Sequence, residues 1–234
     1  MVAAGYVSLN AFPYHLLAGT QKKYATDTVM LGNTGIEVTR LAMGTGTNGV
    51  GGTSNQDKKL GIKGLGDLLH YAYDQGVRFY DTADQYGTHP HVKDALQRVP
   101  RENVVVLTKT HATTAKEMWA DLDRFRRELG TDYIDIMLLH CMMDGNWPER
   151  KKAAMEVLSQ AREEGIIRAH GVSCHTLKAL EAAAESDWVQ VDMARFNPAG
   201  VAMDADVPTV TKVLKKMKEK GKGIIGMKVV GAGR

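Results

Sequence analysis

The chain is poor in several features that would narrow its class at once. Cysteine is scarce, with only Cys141 and Cys174 in 234 residues. That is too few for a disulfide framework at this length, and neither lies in the Cys-x-x-Cys spacing of a thiolate metal site. An excess of one charge is also missing. Basic and acidic residues number 30 and 27, leaving a formal +3, and the two kinds are interspersed, which argues against a nucleic-acid partner. The cluster Lys215, Lys216, Lys218 and Lys220 is interrupted by Met217 and Glu219 at helical spacing and reads as a solvated helix face. No apolar stretch is long enough to span a bilayer.

What is present is an ordinary globular composition, 44% hydrophobic and 24% charged, enough for one substantial core. Residues 1–28 read as an N-terminal arm. They are weakly apolar, with no basic leader and no periodicity, and a remnant of an export signal is the alternative reading. A cytoplasmic location is the default expectation, with an exported one tied to that alternative. Residues 29–234 read as a single barrel domain, a monomer or weak oligomer.

From residue 41 short runs rich in valine and isoleucine alternate with helical patterns. The runs fall at 41–45, 77–81, 104–108, 134–140, 167–173, 188–192 and 223–227. Among the helices, TAKEMWADLDRFRRELG has a capping-box pair in Thr114 and Glu117, an apolar face of Met118, Leu122, Phe125 and Leu129, and Gly130 as its stop. Segments 146–165 and 207–221 each start with a proline in the first turn and end on a glycine. Strands alternating with helices imply parallel βαβ units, and runs apolar on both faces imply a covered sheet or a closed barrel. Units of about thirty residues suit a (β/α)₈ TIM barrel. Seven strands are countable before Arg234, so a barrel truncated after its seventh strand is expected. VMLGNTGIEVTRL reads as a hairpin around Asn33, Thr34 and Gly35, plugging the barrel floor.

Parallel barrels gather their chemistry at the carboxyl ends of the strands. Those ends carry Asp81, Lys109, His140 and Ser173, at steps of 28, 31 and 33 residues, one unit each. Tyr86 follows Asp81 by five residues in FYDTADQYG. Taken singly, each residue has a bland alternative: Asp81 as a loop cap, Lys109 reaching to solvent, His140 as a satisfied core histidine. In phase on consecutive units they form a set. A free phenol has a pKa of about 10, an ammonium beside it favours the phenolate, and Asp81 would hold that ammonium in place. His140 would orient a carbonyl oxygen toward the phenol. The set can protonate an oxygen but has no hydride, which a cofactor must supply.

With these residues in place, the chain resembles the aldo-keto reductases. The resemblance runs from about Val29 onward through FYDTADQYG, VVVLTKT, DLDRFRRELGTDYIDIMLLH and IIRAHGVS, in that order. It implies reduction of an aldehyde or ketone with NADP(H) in preference to NAD(H), with Tyr86 as general acid, Lys109 and Asp81 as its tuning pair and His140 orienting the carbonyl. It further implies cofactor contacts from Gly44, Thr45, Asp81, Ser173, Cys174, Gln190, Met227 and Lys228, and no metal. Two positions depart from the family pattern. Cys174 replaces the asparagine of GVSN, and Met227 stands where many members stack a tyrosine on the nicotinamide. Trp147, Cys141, Met142 and Met143 follow His140 as candidates for an apolar substrate pocket.

Three other readings stay open on the residues alone. Lys109 or Lys228 at a strand end would suit a Schiff-base lyase. His89, His91, His111 and His140 lie near strand ends as in a metal hydrolase, but without a carboxylate in a recognisable ligand triad. A reductase barrel kept as a non-catalytic NADP(H)-binding sensor or scaffold is the third.

Overall fold

Runs such as VVLTKT and IDIMLLHCM combine β-branched and aliphatic residues and are buried along almost their whole length, as strands are when both sheet faces are covered. In the computed structural model, which describes residues 22–231, β1 (Thr28–Met30) and β2 (Glu37–Thr39) form an antiparallel hairpin. Seven parallel strands follow, paired in sequence order: β3 (Met43–Gly44), β4 (Phe79–Asp81), β5 (Val105–Thr110), β6 (Ile134–Met142), β7 (Ile167–Cys174), β8 (Val191–Arg195) and β9 (Gly223–Met227). The helices between them are α1 (Asn55–Asp74), α2 (His89–Leu96), α3 (Ala115–Leu129), α4 (Trp147–Arg150), α5 (Lys152–Glu163), α6 (Leu177–Glu185) and α7 (Val207–Glu219). The sheet is the curled wall expected of a (β/α)₈ barrel, and among the described residues no strand joins β3 to β9.

Two apolar layers fix this wall. Inside, Leu31, Ile36 and Val38 of the hairpin pack against Phe79, Leu107 and Ile136, and the amide of Asn33 donates to the carbonyl of Gly221 at 2.8 Å. The hairpin therefore seals the floor, as its sequence suggests. Outside, Met118, Leu122, Phe125 and Leu129 line one fully buried face of α3, each worth about 1.5–3 kcal/mol relative to exposure. Thr114 and Glu117 make both bonds of the capping box.

Three local differences from the sequence reading have physical causes. The segment expected as one helix over 146–165 breaks into α4 and α5 at Lys151, whose buried ammonium donates to the carbonyls of His111 at 2.7 Å and Ala112 at 2.9 Å. The expected strand at 188–192 begins three residues later, at Val191. Trp188 instead leaves the sheet to stack on His170, with ring centroids 4.3 Å apart. Most of the arm assigned to 1–28, and with it the export-signal reading, lies outside the described residues. Among the described residues no helix is long and apolar enough to cross a membrane.

Asp192, on the helix side of β8, is fully buried. Its Oδ1 accepts from the Cys174 thiol at 3.1 Å, while Oδ2 has no partner among the described residues. Burial pushes this carboxyl up to about 7, against the pull of the thiol and with Asp204 adding to the rise. The folded value lies above the unfolded one near 3.9, so the folded chain binds more protons between the two and stability falls as pH rises from about 4 to about 7. Asp192→Asn removes this dependence. Thermal unfolding is expected to show the variant more stable than the parent at pH 8, by roughly 4–10 °C, and nearly equal to it at pH 4.

Candidate active site

The rim at the carboxyl ends of the strands is shaped by three irregularities. After β4, residues 84–86 form a single 3₁₀ turn that brings Tyr86 back over the barrel mouth. On β6 the pairing register with β7 shifts between Leu139 and Met142, with Cys141 at φ 62°, and a bulge of this kind re-aims neighbouring side chains. The third is the loop 46–52, closed by bonds from the Gly49 amide to the Gly46 carbonyl at 2.9 Å and from the Gly52 amide to the Gln85 carbonyl at 3.0 Å.

These elements bring Asp81, Tyr86, Lys109 and His140 to one cavity of about 820 Å³. Lys109 is 1% exposed. Its ammonium bonds the Asp81 carboxylate and donates to the Thr82 carbonyl at 2.8 Å, and it lies 4.9 Å from the centre of the Tyr86 ring. Tyr86 and His140 meet edge to face, with centroids 5.6 Å apart and planes at 82°. Burial, helped by the Lys109 charge, pushes His140 down to about 2, so its imidazole is neutral at any ordinary pH. The phenol of Tyr86 corrects an expectation. Lys109 does pull its pKa down, but burial pushes harder in the other direction, with Asp81 adding to it, and the net shift is upward.

The remaining predicted contacts divide by strand geometry. Gly44, Ser173, Met227 and Lys228 line the same cavity as Asp81. Cys174 does not. Successive side chains on a strand face opposite ways, so Ser173 points inward and Cys174 outward to Asp192. Thr45 is buried, its hydroxyl bonded to the Asp81 carbonyl at 3.1 Å and to Thr88 at 2.7 Å. It braces the rim and does not line the cavity. Gln190 lies at the opposite end of the barrel, where its Oε1 accepts from the His170 amide at 3.2 Å. The residue beside Ser173 on the next strand is Met193, about 10 Å further along the chain at strand rise. Met193, His175 and the loop 46–50 line the cavity and were missed by the sequence reading. Of the predicted substrate-pocket residues only Cys141 lines it. Trp147 and Met142 are buried in the outer core, and Met143 is exposed.

His89 and His91 lie apart from this cavity. His89 bonds Glu128 and Thr108, each at 2.7 Å, and His91 bonds Asp57 at 3.0 Å. Asp84, His89 and Glu128 do come together with metal-ligand donors. Arg124, however, already sits between the carboxylates, 2.7 Å from Asp84 and 3.1 Å from Glu128, and answers their charge.

The fold and rim place this chain among parallel α/β barrels with a polar site at the strand ends. The family model described as "Aldo/keto reductase family" matches residues 40–234, and the chain belongs to that family. It is 30% identical over 171 residues to an aldo-keto reductase of Bacillus subtilis, a match covering 64% of this chain and 48% of the relative. It is 32% identical over 120 residues to the glycerol 2-dehydrogenase (NADP(+)) of Saccharomyces cerevisiae, covering 50% and 33%. A solved structure assigned to the aldo-keto reductases, from Pseudomonas aeruginosa, superposes with a TM-score of 0.68 at 25% identity, over 88% of this chain and 79% of that one. The chain spans about half the length of the Bacillus subtilis relative.

Gly46 and Gly49 hold the Tyr86 ring between them. A Cβ on either would fall inside the van der Waals envelope of the ring, on its opposite edges, which is why the loop is glycine here. Gly46→Ala and Gly49→Ala are each expected to destabilise by about 1–3 kcal/mol through overpacking in urea unfolding, and to shift the Tyr86 ring resonances in NMR. Unshifted resonances would show that the loop gives way instead.

Proposed function

We propose that this chain reduces an aldehyde or ketone to the alcohol with a nicotinamide cofactor. The observation that carries the reading is the convergence of Tyr86, the Lys109–Asp81 pair and neutral His140 on a single cavity. The residues present suit the cofactor. Ser173 offers a hydroxyl, Met193 and Met227 an apolar wall, and Lys228 an exposed cation, all on the same cavity; these would hold the nicotinamide and the adjoining phosphate. A bound reduced nicotinamide supplies the hydride that the carbonyl carbon accepts. NADP(H) in preference to NAD(H) is the proposed form, in keeping with the family and with the name of the yeast relative.

The chain's own residues handle the oxygen. A neutral imidazole donates one hydrogen bond without bringing a competing charge, so His140 aims the carbonyl oxygen at the Tyr86 hydroxyl. As the oxygen gains negative charge, Tyr86 gives it the phenolic proton and becomes a phenolate beside the Lys109 ammonium. Asp81 and the Thr82 carbonyl hold that ammonium in place, so the developing charge is stabilised by groups already in position. The resting phenol carries its proton at neutral pH; burial raises its pKa and so opposes proton release, and the Lys109 charge works against that rise. Lys109, held by two acceptors and buried, is a poor Schiff-base nucleophile, which weighs against the lyase.

Tyr86→Phe is expected to lower kcat at least about a hundredfold with NADPH affinity, read by nicotinamide fluorescence, nearly unchanged. Equal loss of both would make the tyrosine structural. Binding without turnover in the parent chain would favour the sensor or scaffold reading. Lys109→Met should likewise eliminate reduction, since the phenolate loses its counter-charge. In the parent, the reduction rate should hold through neutral pH and fall only on the alkaline side, as the phenol loses its proton.

A further inference from the structure

His140 has an orienting task, yet among the described residues no hydrogen bond fixes its ring. It is 6% exposed, and its Nδ1 is buried without a partner among the described residues. Imidazoles that orient a ligand are ordinarily held through the second ring nitrogen. Here ring contacts take that place. Tyr86 meets one side edge to face, and His111 lies stacked on His140 with centroids 4.8 Å apart and planes at 28°, within the range of favourable ring pairs. His111 is itself exposed but anchored at two points. Its Nε2 is 2.5 Å from the side-chain oxygen of Gln85, and its backbone carbonyl accepts from the Lys151 ammonium at 2.7 Å. Gln85 immediately precedes Tyr86 in the same turn, so the stack ties the plane of His140 to the segment that carries the phenol. Burial and the Lys151 charge hold His111 below the ordinary imidazole pKa, against the pull of Asp84 and Asp121, and near neutrality the stack joins two uncharged rings.

We propose that His111 is a positioning residue: its ring sets the plane of His140, and Gln85 sets the plane of His111. The effect on turnover rests on the carbonyl-reductase reading above; the stack itself does not. The test compares the parent chain with His111→Ala, His111→Phe and Gln85→Leu in two measurements, steady-state reduction of an aldehyde panel with NADPH and nitrogen-edited NMR of the His140 ring. His111→Ala is expected to lower kcat about tenfold or more, as misaligned reactants do, with the KM for NADPH unchanged and the His140 resonances shifted. His111→Phe keeps a flat ring against His140 and is expected to restore both readouts. Gln85→Leu should fall between the two. Unshifted His140 resonances in His111→Ala would overturn the proposal. So would a His111→Phe variant as impaired as His111→Ala, since the lost group would then be the imidazole's polarity and not its plane. If no chain, the parent included, reduces any carbonyl, the functional reading falls, and the NMR comparison still decides the stack.

Discussion

Lys109 is a long side chain sunk into the barrel wall, and an ammonium at that depth costs several kcal/mol unless its charge is answered. Asp81 and the Thr82 carbonyl answer it. Asp81 ends the neighbouring strand β4 and Thr82 directly follows it, so the ion pair depends on β4 and β5 holding their parallel register. The turn that follows β4 passes over the ammonium and carries Tyr86 there. His140 is neutral partly because that same charge lies near it. The rim's electrostatics thus descend from one buried cation and the register that pairs it.

Much of this was legible in the sequence because it repeats. Valine- and isoleucine-rich runs at regular spacing locate the strands, and a polar residue at the end of each run in the same phase locates Asp81, Lys109, His140 and Ser173. The pairing of Tyr86 with these residues follows from a turn only five residues long. At β8 the phase of the strand failed. Trp188 and Val189 look like the start of a run, and the charged tail DMAR looks like its end. Packing of Trp188 on His170 moves the strand along, so Gln190 falls to the floor and Met193 rises to the rim. Cys174 was misread for a simpler reason, since a residue adjacent in a strand to one that faces inward must face out.

The Tyr86 phenol shows a limit of another kind. A sequence reveals which charge will stand beside a group, and therefore the sign of that one influence. It does not reveal how much of the group will be removed from water, and here desolvation outweighs the lysine. Lys151 makes a similar point. Nothing in its helical context announces that it will break a helix to bond two carbonyls of a distant loop. Both are tertiary effects with no local signature.

Among the described residues, four that are not glycine have positive φ, and three of them, Asn48, Cys141 and Lys228, stand around the cavity. Each such conformation costs roughly 1–2 kcal/mol. The outline of the cavity is therefore held partly in the main chain, and mutational tolerance there should be the reverse of ordinary. Glycine, usually disruptive, would be the gentle replacement at these three positions, while a β-branched residue of similar bulk would meet the greater resistance.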